Sequence, residues 1–194
     1  MIVHSQRIQH AIRFMVRTHE GYQKQKRKGK DVPYLTHPLT VALILSRVHA
    51  IEDVIIAGIL HDTIEDSIDE KKVSREMIES RFGTAVADLV ESVTEQDKTL
   101  PWEERKEEAL QHIATFSHDS MLLKSADVIA NNAELLEDYA KEGEKTFERF
   151  NAPKEKSIPY TCRVIDALLV VWPENPLGED LQAISAALQK VLST

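Results

Sequence analysis

The segment Leu60-His61-Asp62-Thr63-Ile64-Glu65-Asp66 gathers one imidazole and three carboxylates into six residues. It closes one of the most apolar runs of the chain, Val54-Ile55-Ile56-Ala57-Gly58-Ile59-Leu60. A run that apolar is expected to be buried, so the polar cluster at its end should open into a protected pocket. Adjacent His61 and Asp62 can both reach one metal ion if the backbone turns there. Glu65 and Asp66, one helical turn later, project near the same place. Burying four ionisable groups is costly unless they are paired or hold a cation. First-row divalent metals accept imidazole and carboxylate ligands together, which makes His37, His61, Asp62 and a later acid the candidate ligands. The competing reading has His61 and Asp62 simply capping a helix.

The elements that must position these groups read as almost all helix, since glycine is scarce and strand-type alternation is rare. A first helix is expected from about Ser5 to His19, with Ile8, Ala11, Ile12, Met15 and Val16 on one face. A basic loop, Gly21 to Thr36, carries Lys24, Lys26, Arg27, Lys28 and Lys30. His37-Pro38 opens a second helix, with proline in its first turn. The third, about Glu52 to Asp62, starts with acids that suit a helix N-terminus. Ser74 and Thr84 are expected to cap two further helices, ending near Phe82 and Thr94. After the loop Glu95 to Leu100, Pro101 starts a charged helix reaching about Phe116. The helix from about Asp119 to Tyr139 sets Lys124, Asp127 and Asn131 on one face. A charged connection, Lys141 to Lys156, leads to helices at about Ile158 to Trp172 and Glu179 to Leu192.

Composition bounds the function. The chain has 194 residues, 42% hydrophobic and 29% charged, which suits a single domain over residues 1–194 with a full core. The net charge of −8 argues against a general nucleic-acid binder, whose phosphate contacts need a basic surface. Cys162 stands alone, so no intrachain disulfide forms and no cysteine-based zinc site is expected. No signal-peptide pattern and no bilayer-length apolar run is present, and a cytoplasmic protein is the expectation. His4, His10, His19, His49, His112 and His118 show no ligand spacing with a second candidate and are read as structural. Trp102, Trp172 and Cys162 are read as packing residues.

His37, His61-Asp62 and Asp127 match the H…HD…D pattern of the HD-domain phosphohydrolases. The local motifs are similar to those in the hydrolase domain of RelA/SpoT-type proteins. They are Pro33-Tyr34-Leu35-Thr36-His37-Pro38, Leu60 to Asp66, Asp97-Lys98-Thr99-Leu100-Pro101, and Lys124-Ser125-Ala126-Asp127 followed by Asn131. The chain thus resembles a stand-alone small alarmone hydrolase with an all-α HD-domain fold. The resemblance implies one Mn²⁺ held by His37, His61, Asp62 and Asp127, with Glu65 and Asp66 positioning or deprotonating the attacking water. The implied reaction removes the 3′-pyrophosphate from guanosine tetra- and pentaphosphate. That chemistry needs a metal to activate water and neutralise developing charge, and an acid or base within hydrogen-bond reach.

A substrate with several phosphates needs cations, and Arg27-Lys28 resembles the family's pair beside the bound nucleotide. Arginine suits stacking on a base, and lysine acts as a flexible point charge. Lys98, Lys124 and Asn131 are further candidates for substrate contact. The chain departs from the family pattern after the metal-binding aspartate. It has Val128 where a basic residue is common, and Asn132, Ala133 and Glu134 after Asn131. A carboxylate there repels phosphate. Adenine alarmones, a nicotinamide dinucleotide 2′-phosphate, and a sensor that binds without cleaving are the alternatives.

Overall fold

The structure, a computed structural model, describes residues 5–95 and 100–194. The regular elements among the described residues are helices, and their isolated β pairing is the bridge between Lys26 and Pro33. The chain divides into two compact units, one ending at Thr94 and the next beginning at Glu95.

The first unit holds α1 (Gln6–Val16), α2 (Thr36–Arg47), α3 (Glu52–Leu60), α4 (Thr63–Asp66), α5 (Arg75–Phe82) and α6 (Thr84–Val93). Its centre is α3, which packs against α1, α2 and α6. Val54, Ile56, Ala57, Ile59 and Leu60 are buried on several sides of this helix. Each of the valine, leucine and isoleucine side chains contributes about 1.5–3 kcal/mol relative to exposure. A β-carbon on Gly58 would stand 2.6 Å from Leu45 Cδ1 and 3.3 Å from Val41 Cγ1, so this glycine lets α3 lie close on α2. The start of α3 is tied to α1: the Arg7 guanidinium meets Glu52 at 2.8 Å and Asp53 at 2.7 Å.

Several ends differ from the sequence expectation. A π-helical turn, Arg17–Gly21, extends α1 and buries His19. Helix α3 stops at Leu60, and His61-Asp62 bridge to α4, a separate turn. Ser74 caps α5 as expected, accepting from the Met77 amide. Thr84 is not a cap: Gly83 holds that place at φ +97°, and the Thr84 hydroxyl donates to Glu79 at 2.8 Å.

The second unit holds α7 (Trp102–His112), α8 (His118–Glu142), α9 (Lys154–Val171) and α10 (Gly178–Leu192). Phe147, Ile158, Leu188 and Val191 form a core with Leu135, Leu136, Tyr139 and Ile184 around it, and half-buried Cys162 joins it. The connection after α8 is more ordered than its charge suggests. It forms a 3₁₀ stretch, Gly143–Arg149, that buries Thr146 and Phe147. Arg149 secures it, pairing with Asp138 at 3.1 Å and with Glu142. Glu144, Lys145 and Glu148 face outward while Phe147 anchors the segment.

Candidate metal centre

Two helices and one loop build the histidine–carboxylate site of the first unit. His37 lies in the first turn of α2, and His61-Asp62 follow the end of α3. His37 Nε2 and His61 Nε2 are 3.2 Å apart. Asp62 Oδ2 lies 3.0 Å from His61 Nε2 and 3.5 Å from His37 Nε2. Both imidazoles are buried. His61 Nδ1 donates to the Gly58 carbonyl at 2.9 Å, and this fixes the tautomer that leaves the Nε2 lone pair facing the other donors. Two imidazole nitrogens and a carboxylate oxygen converging this closely fit a divalent cation, which relieves the crowding of their lone pairs.

The loop before α2 supports the carboxylate. Tyr34 donates its hydroxyl to Asp62 Oδ2 at 2.5 Å. Burial pushes the Tyr34 phenol far above its ordinary range, and the charges of Asp62 and Asp66 add to that, so it remains a donor. The Arg27 guanidinium lies over the Tyr34 ring at 5.4 Å. Arg27 opens a tight turn in which the Lys30 amide donates to the Arg27 carbonyl at 3.0 Å. Gly29, at φ +71°, supplies the left-handed residue this turn requires, with Lys28 exposed at its tip. Along this loop Gln23, Gln25 and Arg27 are half-buried, and Tyr22, Lys24, Lys26 and Lys28 are exposed. Gln23 and Gln25 reach α4: Gln23 Nε2 donates to the Asp66 carbonyl at 2.7 Å and Gln25 Nε2 to Asp66 Oδ2 at 2.9 Å. Glu65, also half-buried, shares α4 with Asp66.

In the second unit, α8 sets Lys124, Asp127 and Asn131 together as the spacing predicts. Lys124 Nζ is 2.9 Å from Asp127 Oδ2, and Asn131 Nδ2 donates to Asp127 Oδ1 at 2.7 Å. Val128 is buried, and the Asn132 amide turns back to the Val128 carbonyl at 2.7 Å. Val128 and Asn132 are thus absorbed by packing, whereas Ala133 is exposed and Glu134 half-buried. Tyr160 of α9 feels this face. Burial raises its phenol pKa, while the charge of Lys124 lowers it and that of Asp127 raises it. Lys98 lies outside the described residues.

Tyr34, Gln25, His19 and Tyr160 join the candidate residues only through the structure. Tyr34 stands inside the motif that ends in His37, and the alternation of glutamine and lysine along 22–28 was a signal for Gln25. His19 and Tyr160 carry no sequence mark of their contacts.

Residues 11–152 match the HD domain family. The chain belongs to the HD domain family. Among its relatives is the Danio rerio protein named guanosine-3′,5′-bis(diphosphate) 3′-pyrophosphohydrolase MESH1. It is 40% identical over 119 residues, which are 60% of this chain and 63% of that one. An Aquifex aeolicus protein named guanosine-3′,5′-bis(diphosphate) 3′-pyrophosphohydrolase is 38% identical over 130 residues, 66% of this chain and 18% of that one. The matched stretch therefore spans less than two thirds of these relatives' length. Among solved structures, a metazoan ortholog of SpoT described as hydrolysing ppGpp superposes with a TM-score of 0.74 at 25% identity, covering 100% of this chain and 97% of that one. A Listeria monocytogenes EGD-e protein gives 0.71 at 30% identity, covering 81% of this HD-domain chain and 99% of that one.

Proposed function

We propose that this chain is a metal-dependent phosphohydrolase that removes the 3′-pyrophosphate from guanosine 3′,5′-bis(diphosphate)-type alarmones, acting as one HD domain over residues 1–194. The observation that carries the reading is the convergence of His37 Nε2, His61 Nε2 and Asp62 Oδ2 within 3.5 Å. The relatives' named activity supports the choice of substrate class. Asp127 joins as fourth ligand on the strength of the H…HD…D order in the sequence. Mn²⁺ is the proposed ion; when bound it supplies Lewis acidity and lowers the pKa of water. Asp62 is kept a ligand by Tyr34, and His61 by the Gly58 carbonyl. Glu65 or Asp66 takes the proton from the attacking water, and the nucleoside 3′ oxygen leaves with pyrophosphate as the other product. Arg27, Lys28, Lys98, Lys124 and Asn131 are the proposed substrate contacts, the arginine and lysines offsetting phosphate charge on a protein of net charge −8. No described helix is long and apolar enough to cross a membrane, and the proposed setting is cytoplasmic.

Product analysis by anion-exchange chromatography tests the reading. The Mn²⁺-loaded protein receives the guanine alarmone, its adenine counterpart and the reduced nicotinamide dinucleotide 2′-phosphate side by side. Pyrophosphate from the guanine alarmone is expected. Faster release from the adenine substrate would change the base. Orthophosphate from the dinucleotide alone would replace the reaction with a phosphatase, and binding without product would make the chain a sensor.

A further inference from the structure

We infer that His19 and Gln25 are positioning residues for Asp66, forming a polar relay that sets the direction of its carboxylate. Asp66 presents only acceptors to the loop. Its Oδ2 accepts a hydrogen bond from Gln25 Nε2 at 2.9 Å, and its backbone carbonyl accepts one from Gln23 Nε2 at 2.7 Å. Both glutamine amides must therefore turn their nitrogens toward Asp66. Gln25 Oε1 then faces the opposite way, where it meets His19 Nδ1 at 2.7 Å and Gln23 Nε2 at 3.3 Å. An amide oxygen only accepts, so His19 carries its proton on Nδ1. Its Nε2 has no hydrogen-bond partner among the described residues and keeps a lone pair.

The base of the relay is rigid. His19 is 1% exposed and sits in the π-helical turn Arg17–Gly21, where insertion of that turn swings it out of the register of α1. The Tyr34 ring flanks it with centroids 4.9 Å apart. Burial lowers the imidazole pKa from its ordinary value and so favours the neutral ring. A neutral ring in one tautomer thus fixes an amide, and the amide fixes a carboxylate on a helix of only four residues. Without it, the Asp66 side chain is free to leave its working direction, and misplacement of about 1 Å costs on the order of 100-fold in rate.

The inference rests on the hydrolase reading, in which Asp66 works on the attacking water. The test uses the full chain: steady-state kinetics on guanosine 3′,5′-bis(diphosphate) with Mn²⁺, titration with Mn²⁺ alone, and ¹⁵N spectra of the His19 ring with diamagnetic Mg²⁺ in place of Mn²⁺. Gln25→Leu and His19→Leu should each lower kcat about 10-fold or more, with KM and Mn²⁺ affinity unchanged. His19→Asn should recover most of the rate, because its side-chain N–H can donate to Gln25 Oε1. The double leucine variant should be no slower than either single one. The unaltered protein should show His19 protonated at Nδ1, and Gln25→Leu should abolish that preference. Unchanged kcat in Gln25→Leu, or a proton on Nε2 in the unaltered protein, overturns the relay. Should the buried His19→Leu variant not fold, Gln25→Leu and His19→Asn decide. If the unaltered protein releases no pyrophosphate, the hydrolase reading fails by itself. The relay then stands with Nδ1 protonation that Gln25→Leu removes, and falls without it.

Discussion

Asp62 and Asp127 are both half-buried carboxylates in the HD pattern, yet they are held in different ways. Asp127 is gripped by neighbours on its own helix, Lys124 at i−3 and Asn131 at i+4. Asp62 is held by Tyr34, 28 residues earlier, and stands beside His37 from another helix. One carboxylate depends on helical geometry, which any stretch of α8 supplies locally. The other depends on α3 being seated against α2 and on the loop folding back. The first kind of support is robust and short-ranged; the second fails if any one of several distant contacts fails.

The largest expected effect tests whether the two carboxylates share a task. Asp62→Ala and Asp127→Ala should each strip bound metal and abolish turnover together, read by elemental analysis and product release. Metal retained in Asp127→Ala would remove the second carboxylate from the centre. Next, Glu65→Ala and Asp66→Ala should keep the metal and lose about 100- to 10,000-fold in kcat, the range of general acid–base contributions. A double variant with an unchanged rate would end their assignment. Third, Tyr34→Phe should weaken Mn²⁺ binding about 10- to 100-fold in a calorimetric titration, as loss of a ligand's outer partner does. Asn131→Ala should weaken it less, since Lys124 still holds Asp127. Equal losses would erase the contrast between the distant and the local support. Smallest in reach is Gly58→Ala. It should cost about 1–3 kcal/mol of stability in thermal unfolding, because fully buried Leu45 must give way. An unchanged midpoint would show that the α2–α3 contact has slack.

Much of this is legible in the sequence. Helical periodicity placed most of the helices, and the apolar run Val54 to Leu60 announced a buried element with chemistry at its end. The face of Lys124, Asp127 and Asn131 followed from spacing alone, because a helix of known pitch converts sequence distance into direction. The order of His37, His61-Asp62 and Asp127 pointed to the family. Charge hides the anchoring at two places. The connection after α8 is anchored through Phe147, and the basic loop turns its glutamines inward. Side-chain type predicts exposure only on average, and one well-placed apolar or amide group overrides a run of lysines.

The sequence by itself determined what repeats at short range: which segments are helical, which faces are apolar, and which acids and histidines are available to a metal. Tertiary structure alone decided what those groups do to one another. The tautomer of His61 follows from a carbonyl a turn away, the hold on Asp62 from a tyrosine in a loop, and the hold on Asp66 from a glutamine and a buried histidine. Hydrogen bonds act over about 3 Å. Partners 41 residues apart in the chain, such as Gln25 and Asp66, come within that reach only after the core of α1, α2 and α3 has packed.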